Sequence, residues 1–274
     1  MKIQFFCPRW GSEKLAFPDF VKLVVEAGYD GVEMSLPLNK TKEVGYMTGA
    51  LKDAGLQFIG QHWETATANV QQHKKEYLER LHNLGKGDPV FINSQTGRDF
   101  FSFAENMEIL DIARSFTAGT GIKVIHETHR GKFSFAAHIT KEFLLANERL
   151  RISADFSHWC NVAESMLDDQ KEAVDLAIKR ADHIHARAGF SEGPQIPDPR
   201  APEWKDILNK HLSWWDRIIT RARTEGRTGF TITSEFGPYP YMTILPHSMA
   251  PISNQWEINV FMMSLLKERY KDVS

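Results

Sequence analysis

Eight times along the chain a short β-branched or aromatic run is followed by a longer amphipathic stretch, and this alternation limits the possible folds more than any other feature. The runs are IQFFCPR (3–9), DGVEMSL (30–36), LQFIGQHW (56–63), PVFINSQ (89–95), IKVIHET (122–128), RISADFS (151–157), DHIHARA (182–188) and FTITSEF (230–236). Between them lie helical patterns such as FPDFVKLVVEAG, where Pro18 suits a helix start and Gly28 its end, and EWKDILNKHLSWWDRIITRARTEG. A last one, NQWEINVFMMSLLKERY, follows the eighth run. Strands alternating with helices pair in parallel through crossovers. Eight such units in 274 residues match a (β/α)8 barrel, the TIM-barrel architecture, which takes about 250 residues. An open doubly wound sheet would carry a phosphate-binding glycine turn after its first strand, and CPRWGSEK has none. No linker, low-complexity tract or short repeat interrupts the pattern, so residues 1–274 read as one domain.

Composition narrows the partners. Thirty-three basic against thirty-five acidic residues leave a formal charge of -2, so no cationic excess draws the chain to nucleic acid or anionic lipid. Cys7 and Cys160 are too few for a disulfide framework and fit a reducing compartment. MKIQFFCPRW is too short an apolar stretch, cut by Pro8, for a signal h-region. No run approaches the roughly 18 apolar residues of a membrane span. The expected location is cytoplasmic and the expected partner a small molecule.

Barrel sites form where strands end, at the C-terminal rim, and residues two apart on a strand share a face. On that parity the fifth run ends inward in Glu127, the sixth in Asp155, the seventh in His185 and the eighth in Glu235, the last sharing its face with Thr231 and Thr233. His126 and Phe156 point to the helices, and His183 lies one inward layer below His185. Four consecutive strands thus bring an oxygen or nitrogen ligand to one rim. Enclosed carboxylates repel one another and lose hydration unless neutralised, so three acids and an imidazole ask for a divalent cation. Such a donor set suits Mn²⁺, Mg²⁺ or Co²⁺ and permits Zn²⁺.

Taken together, Glu127, Asp155-x-x-His158, His183-x-His185 and Glu235, with GYDGVEM at the second strand, resemble the xylose isomerase-like barrel superfamily. That group includes sugar isomerases, ketose 3-epimerases, hydroxypyruvate isomerase, inosose and dehydroshikimate dehydratases, and endonuclease IV. The resemblance implies that Glu127, Asp155, His185 and Glu235 hold the metal with His158 beside it, and that Glu33 and His62 face the pocket. It also implies that Glu127 and Glu235 are both ligands and acid and base on opposite faces of a substrate. A metal-stabilised enediolate of a small keto-sugar or hydroxy-ketone would then link two isomers or epimers. If a β-leaving group departs instead, the same site is a dehydratase or lyase.

The pattern also departs from that family. Ketose 3-epimerases place an arginine six residues after the metal histidine, where this chain has Ser191; Arg187 stands two after His185 instead and would neutralise developing negative charge. Endonuclease IV needs histidines that Asn93, Ser94, Gln95 and the Asp198–Arg200 segment do not supply. A non-catalytic sugar-binding barrel is the remaining alternative. Trp10, Trp63 and Trp159 end strands and suit sugar stacking or plain packing; His129, Asn93, Gln95, Arg98 and Gln195 are candidate substrate contacts. The Pro-rich segment 189–204 reads as a stiff rim loop carrying substrate identity. The aromatic and Met-rich stretch 238–256 would line the pocket or cover a second copy in a homo-oligomer.

Overall fold

A computed structural model of the chain describes residues 1–273, and in it eight parallel strands close into a barrel in sequence order. The strands are β1 (Lys2–Pro8), β2 (Gly31–Met34), β3 (Gln57–His62), β4 (Ile92–Ser94), β5 (Val124–Glu127), β6 (Ile152–Ala154), β7 (Ala181–His185) and β8 (Gly229–Thr233). Closure is made by β8 pairing with β1, Ile3 opposite Phe230 and Phe5 opposite Ile232. Around the barrel lie α1 (Phe17–Ala27), α2 (Thr41–Asp53), α3 (Val70–Gly85), α4 (Phe103–Thr120), α5 (Ala137–Ala146), α6 (Phe156–Ala163), α7 (Lys171–Arg180), α8 (Lys205–Thr224) and α9 (Gln255–Arg269). This is the TIM barrel that the alternating pattern predicts.

Every expected run overlaps a strand, each ending one to three residues before the run does. The sixth needs correction: RISADFS is extended only to Ala154, and α6 begins at Phe156. The cause is Asp155, whose Oδ1 accepts from the Ser157 backbone N–H at 3.1 Å and from Ser157 Oγ at 2.5 Å, capping the new helix.

Strand alternation sorts the side chains into two environments. Phe5, Val32, Phe58, Ile92, Ile152, Ile184 and Ile232 face the helices and join the main core. Phe6, Ile59, Phe91 and Ile125 point inward and form a separate apolar cluster in the barrel. Burying each such side chain stabilises the fold by about 1.5–3 kcal/mol. Gly31 makes room for the cluster, since a Cβ there would sit 2.4 Å from the Phe6 ring. At the N-terminal end, Asp182 is gripped by Lys123 and by Arg227 Nη2 at 2.5 Å, with Arg151 Nε at 3.9 Å. Burial alone would raise the Asp182 carboxyl, but Lys123 and Arg227 outweigh it and hold it below the usual carboxylate range. Among the described residues no helix is long and apolar enough to cross a membrane.

Candidate metal centre and its cavity

One layer above the apolar cluster the interior becomes charged. Glu127, Asp155, His185 and Glu235 each offer a ligand atom, and these atoms all lie within 4.8 Å of one another. All four side chains are buried. Each carboxylate has at least one oxygen occupied by the protein. Gln95 Nε2 donates to Glu127 Oε2 at 3.2 Å, Gln61 Nε2 to Glu235 Oε1 at 3.0 Å, and Asp155 Oδ1 is held by Ser157.

The other atoms carry the test of whether an ion fits. Glu127 Oε1, Glu235 Oε2 and His185 Nδ1 are buried without a hydrogen-bond partner. His185 Nδ1 lies 2.6 Å from Glu235 Oε2, not aligned as a hydrogen bond, and 3.7 Å from Glu127 Oε1. Three orphaned donor atoms facing one point are what a cation would satisfy. Asp155 Oδ2 is the least free of the set, because the Arg187 guanidinium holds it. The electrostatics agree with a surplus of negative charge. Burial pushes the Glu127 carboxyl up to about 7, with His185 opposing and Glu235 adding to the rise. Burial also raises the Asp155 carboxyl by more than Arg187 lowers it. The residues present therefore fit a divalent ion, with oxygen donors from Glu127, Asp155 and Glu235 and nitrogen from His185.

The cluster floors a cavity of 610 Å³, room for a monosaccharide-sized molecule. Glu127, Glu235 and Arg187 form part of its lining; Trp10, Trp63, Tyr241, Met34 and Met47 give it apolar surface, and Gln61, Gln95 and His129 polar surface. Trp10 packs directly on Gly237, where a Cβ would meet its ring at 2.1 Å. Tyr241 comes from the stretch after β8, its ring edge-on to Trp10 at 5.0 Å and covered by the Arg187 guanidinium at 4.7 Å. Of the stretch 238–256 only Tyr241 lines the pocket, while Leu245, Met249 and Ile252 are exposed.

Several expected substrate contacts lie elsewhere. His62 faces the helix layer, with Nδ1 3.0 Å from Ser94 Oγ, Nε2 2.8 Å from Thr65 Oγ1 and its ring beside Tyr77. Its neighbour Gln61, sharing the inward parity of Ile59, occupies the wall instead. Glu33 points inward but lies beneath the ligands, fully buried and away from the cavity. Gln195 clamps the loop after β8, accepting from the Gly237 N–H at 2.7 Å and donating to its carbonyl at 3.2 Å. None of residues 189–204 lines the cavity.

The remaining candidates divide between wall and support. Trp10 and His129 line the cavity. His158 is fully buried, its Nε2 accepting from Arg187 Nη2 at 2.7 Å and its ring 4.0 Å from that of His129. Burial holds both imidazoles well below their usual range, so both are neutral. Asn93 is fully buried, Arg98 donates to the Ala66 carbonyl at 3.2 Å, and Trp159 stacks on Phe156 in the helix layer. Sequence reasoning missed Gln61, which alternation along β3 would have offered as the other choice, and Tyr241, which no strand period marks.

No protein-family model matches the sequence, and no curated protein does. Solved structures do match in shape. A D-allulose 3-epimerase from Methylomonas sp., in complex with D-allulose, superposes with a TM-score of 0.65 at 14% identity over 98% of each chain. The probable 3-DHS dehydratase AsbF from Bacillus anthracis gives 0.60 at 17% identity, covering 97% of this chain and 99% of that one. Endonuclease IV from Thermus thermophilus gives 0.59 at 11% identity over 98% and 99%. Two further matches, at 14% identity each, are named as xylose isomerase domain proteins, and what all these likenesses show is the (β/α)8 barrel fold. The first three are named for different activities, so the barrel shape alone does not select a reaction, and the site must.

Proposed function

We propose that the protein is a divalent-metal-dependent isomerase or epimerase of a small keto-sugar or hydroxy-ketone. The observation that carries this reading is the set of orphaned atoms on Glu127, Glu235 and His185 at the floor of a sugar-sized, aromatic-walled cavity. Glu127, Asp155, His185 and Glu235 would hold the ion, which when bound supplies Lewis acidity toward a carbonyl and its neighbouring hydroxyl oxygen.

The chain's own groups do the rest. Glu127 and Glu235 both reach the cavity floor, so one takes a proton from the carbon beside the carbonyl and the other returns one on the opposite face. Gln95 and Gln61 each fix one oxygen of those carboxylates, which aims the second. Arg187 offsets negative charge that develops on the substrate, and His158 holds its guanidinium from behind. Trp10, Trp63 and Tyr241 present ring faces and edges to the ring or chain of a sugar and limit water. His129 supplies a neutral imidazole to a hydroxyl.

A dehydratase or lyase is the second reading, favoured by one feature: the arginine that epimerases place at position 191 is Ser191 here, which removes a substrate contact of the epimerase pattern. Both readings begin with the same proton abstraction. Incubation of Mn²⁺-loaded protein with candidate ketoses in D₂O separates them. Exchange at the α-carbon with an epimer or isomer as product supports the first reading, and loss of water supports the second. Absence of bound divalent ion together with absence of exchange would sink both and leave a binding barrel.

A further inference from the structure

We propose that Glu33 is the positioning residue of the metal centre: its carboxylate accepts a hydrogen bond from the Nε2–H of His185, which keeps the proton on Nε2 and leaves the Nδ1 lone pair for the ion. This rests on the metal reading above. Glu33 stands at the end of β2 and His185 at the end of β7, so the contact spans the barrel interior rather than joining neighbouring strands. His185 Nε2 is 3.0 Å from Glu33 Oε1 and 3.1 Å from Oε2, nearly equidistant from both oxygens. The opposite ring nitrogen, Nδ1, is the one turned toward Glu127 and Glu235.

A neutral imidazole carries one proton, and the partner of Nε2 decides which nitrogen bears it. Two neighbours compete for Nε2. The Asn93 amide, 2.9 Å away, would donate to it and drive the proton onto Nδ1, closing the ligand position. The Glu33 carboxylate can only accept, and a charge-assisted bond is about twice as strong as a neutral one. Asn93 Nδ2 has its own acceptor, Glu33 Oε1 at 2.8 Å, so both donors are satisfied only when Nε2 is protonated.

Further contacts hold Glu33 in place. Thr233 Oγ1 donates to its Oε2 at 2.5 Å, and His183 Nε2 stands 3.4 Å from the same oxygen. Glu33 is fully buried and absent from the cavity wall, so it acts through His185 and not on a substrate.

The test measures metal affinity, not turnover. In calorimetric titration with Mn²⁺, Glu33→Gln should bind about ten- to a hundredfold more weakly than the unaltered protein, the range for loss of a ligand's outer partner. Glu33→Asp, which keeps the charge, should lose less. Thr233→Val removes a bond to the same carboxylate without touching its contact with Nε2, and should keep affinity within about threefold, below the range expected for the outer partner itself. Equal affinities for Glu33→Gln and the unaltered protein, or equal losses in Glu33→Gln and Thr233→Val, would overturn the role. Should Glu33→Gln not fold, ¹⁵N NMR of the Zn²⁺-loaded unaltered protein decides: protonated Nε2 and metal-bound Nδ1 on His185 support it, and the reverse overturns it. An unaltered protein that binds neither ion removes the metal reading itself, and Glu33's role with it.

Discussion

Two residues further along the same strands, the barrel interior changes from hydrocarbon to charge. Ile59 is followed by Gln61 on β3, Phe91 by Asn93 at β4, and Ile125 by Glu127 on β5. The lower layer buries aromatic and aliphatic surface and stabilises the barrel. The upper layer buries the carboxylates of Glu127, Asp155 and Glu235 against the guanidinium of Arg187 and the imidazole of His185, with Glu33 and His183 just beneath them. Burial and mutual repulsion oppose that arrangement. The comparison teaches that stability and chemistry are stacked along one axis, with the lower layer holding up a floor that the chain would not form for stability alone.

Substitutions can break this contrast at either end. In the upper layer, Glu127→Gln or Glu235→Gln should lower the rate of α-proton exchange by about 10²–10⁴-fold, the usual contribution of a positioned acid or base. The melting temperature should hold or rise, because each change removes a buried like charge. Full exchange activity in either variant would refute the acid and base assignment. In the lower layer, Ile59→Ala should behave in the opposite way, losing about 2–5 kcal/mol of unfolding free energy in urea titration. Its remaining folded fraction should still bind Mn²⁺.

A ligand sharpens the comparison further. Mn²⁺ at a hundred times its dissociation constant should add about 2.7 kcal/mol of stability by mass action, and chelator should remove it. Thermal unfolding with and without the ion measures this, and an unchanged melting temperature would count against a metal in the upper layer.

The smallest expected effect lies at the N-terminal end, where Asp182 is neutralised outright by Lys123 and Arg227. Asp182→Asn should cost about 1–3 kcal/mol at neutral pH, between the values for exposed and buried pairs. Because the folded Asp182 carboxyl lies below its usual value, its stabilisation is present above the unfolded value of about 4. It should fade as pH falls through the folded value, so the two proteins should converge in acid. A difference that persisted at low pH would point to packing rather than charge.

Much of this arrangement was legible in the residues. Alternation of strand and helix patterns gave the barrel, and parity along the late strands picked out Glu127, Asp155, His185 and Glu235, whose ligand atoms the fold gathers. Parity on β3 was ambiguous, because both faces of LQFIGQHW end in a polar group; the imidazole of His62 was the more conspicuous choice, and Gln61 holds the wall. Asp155 was readable as a ligand candidate but not as a helix cap, since its bond to Ser157 depends on the backbone turning at Ala154.

What the sequence determined by itself is therefore local and periodic: which segments extend, which coil, and which side chains share a strand face, because those follow from backbone geometry at spacings of two and 3.6 residues. What only the tertiary structure decided are contacts between residues far apart in the chain. Glu33 meets His185 across the barrel, Gln61 meets Glu235, and Tyr241 folds back over Arg187, and no periodicity encodes such pairings. Barrel closure sets them, by bringing strand ends from all sides to one rim where each side chain's partner depends on the others.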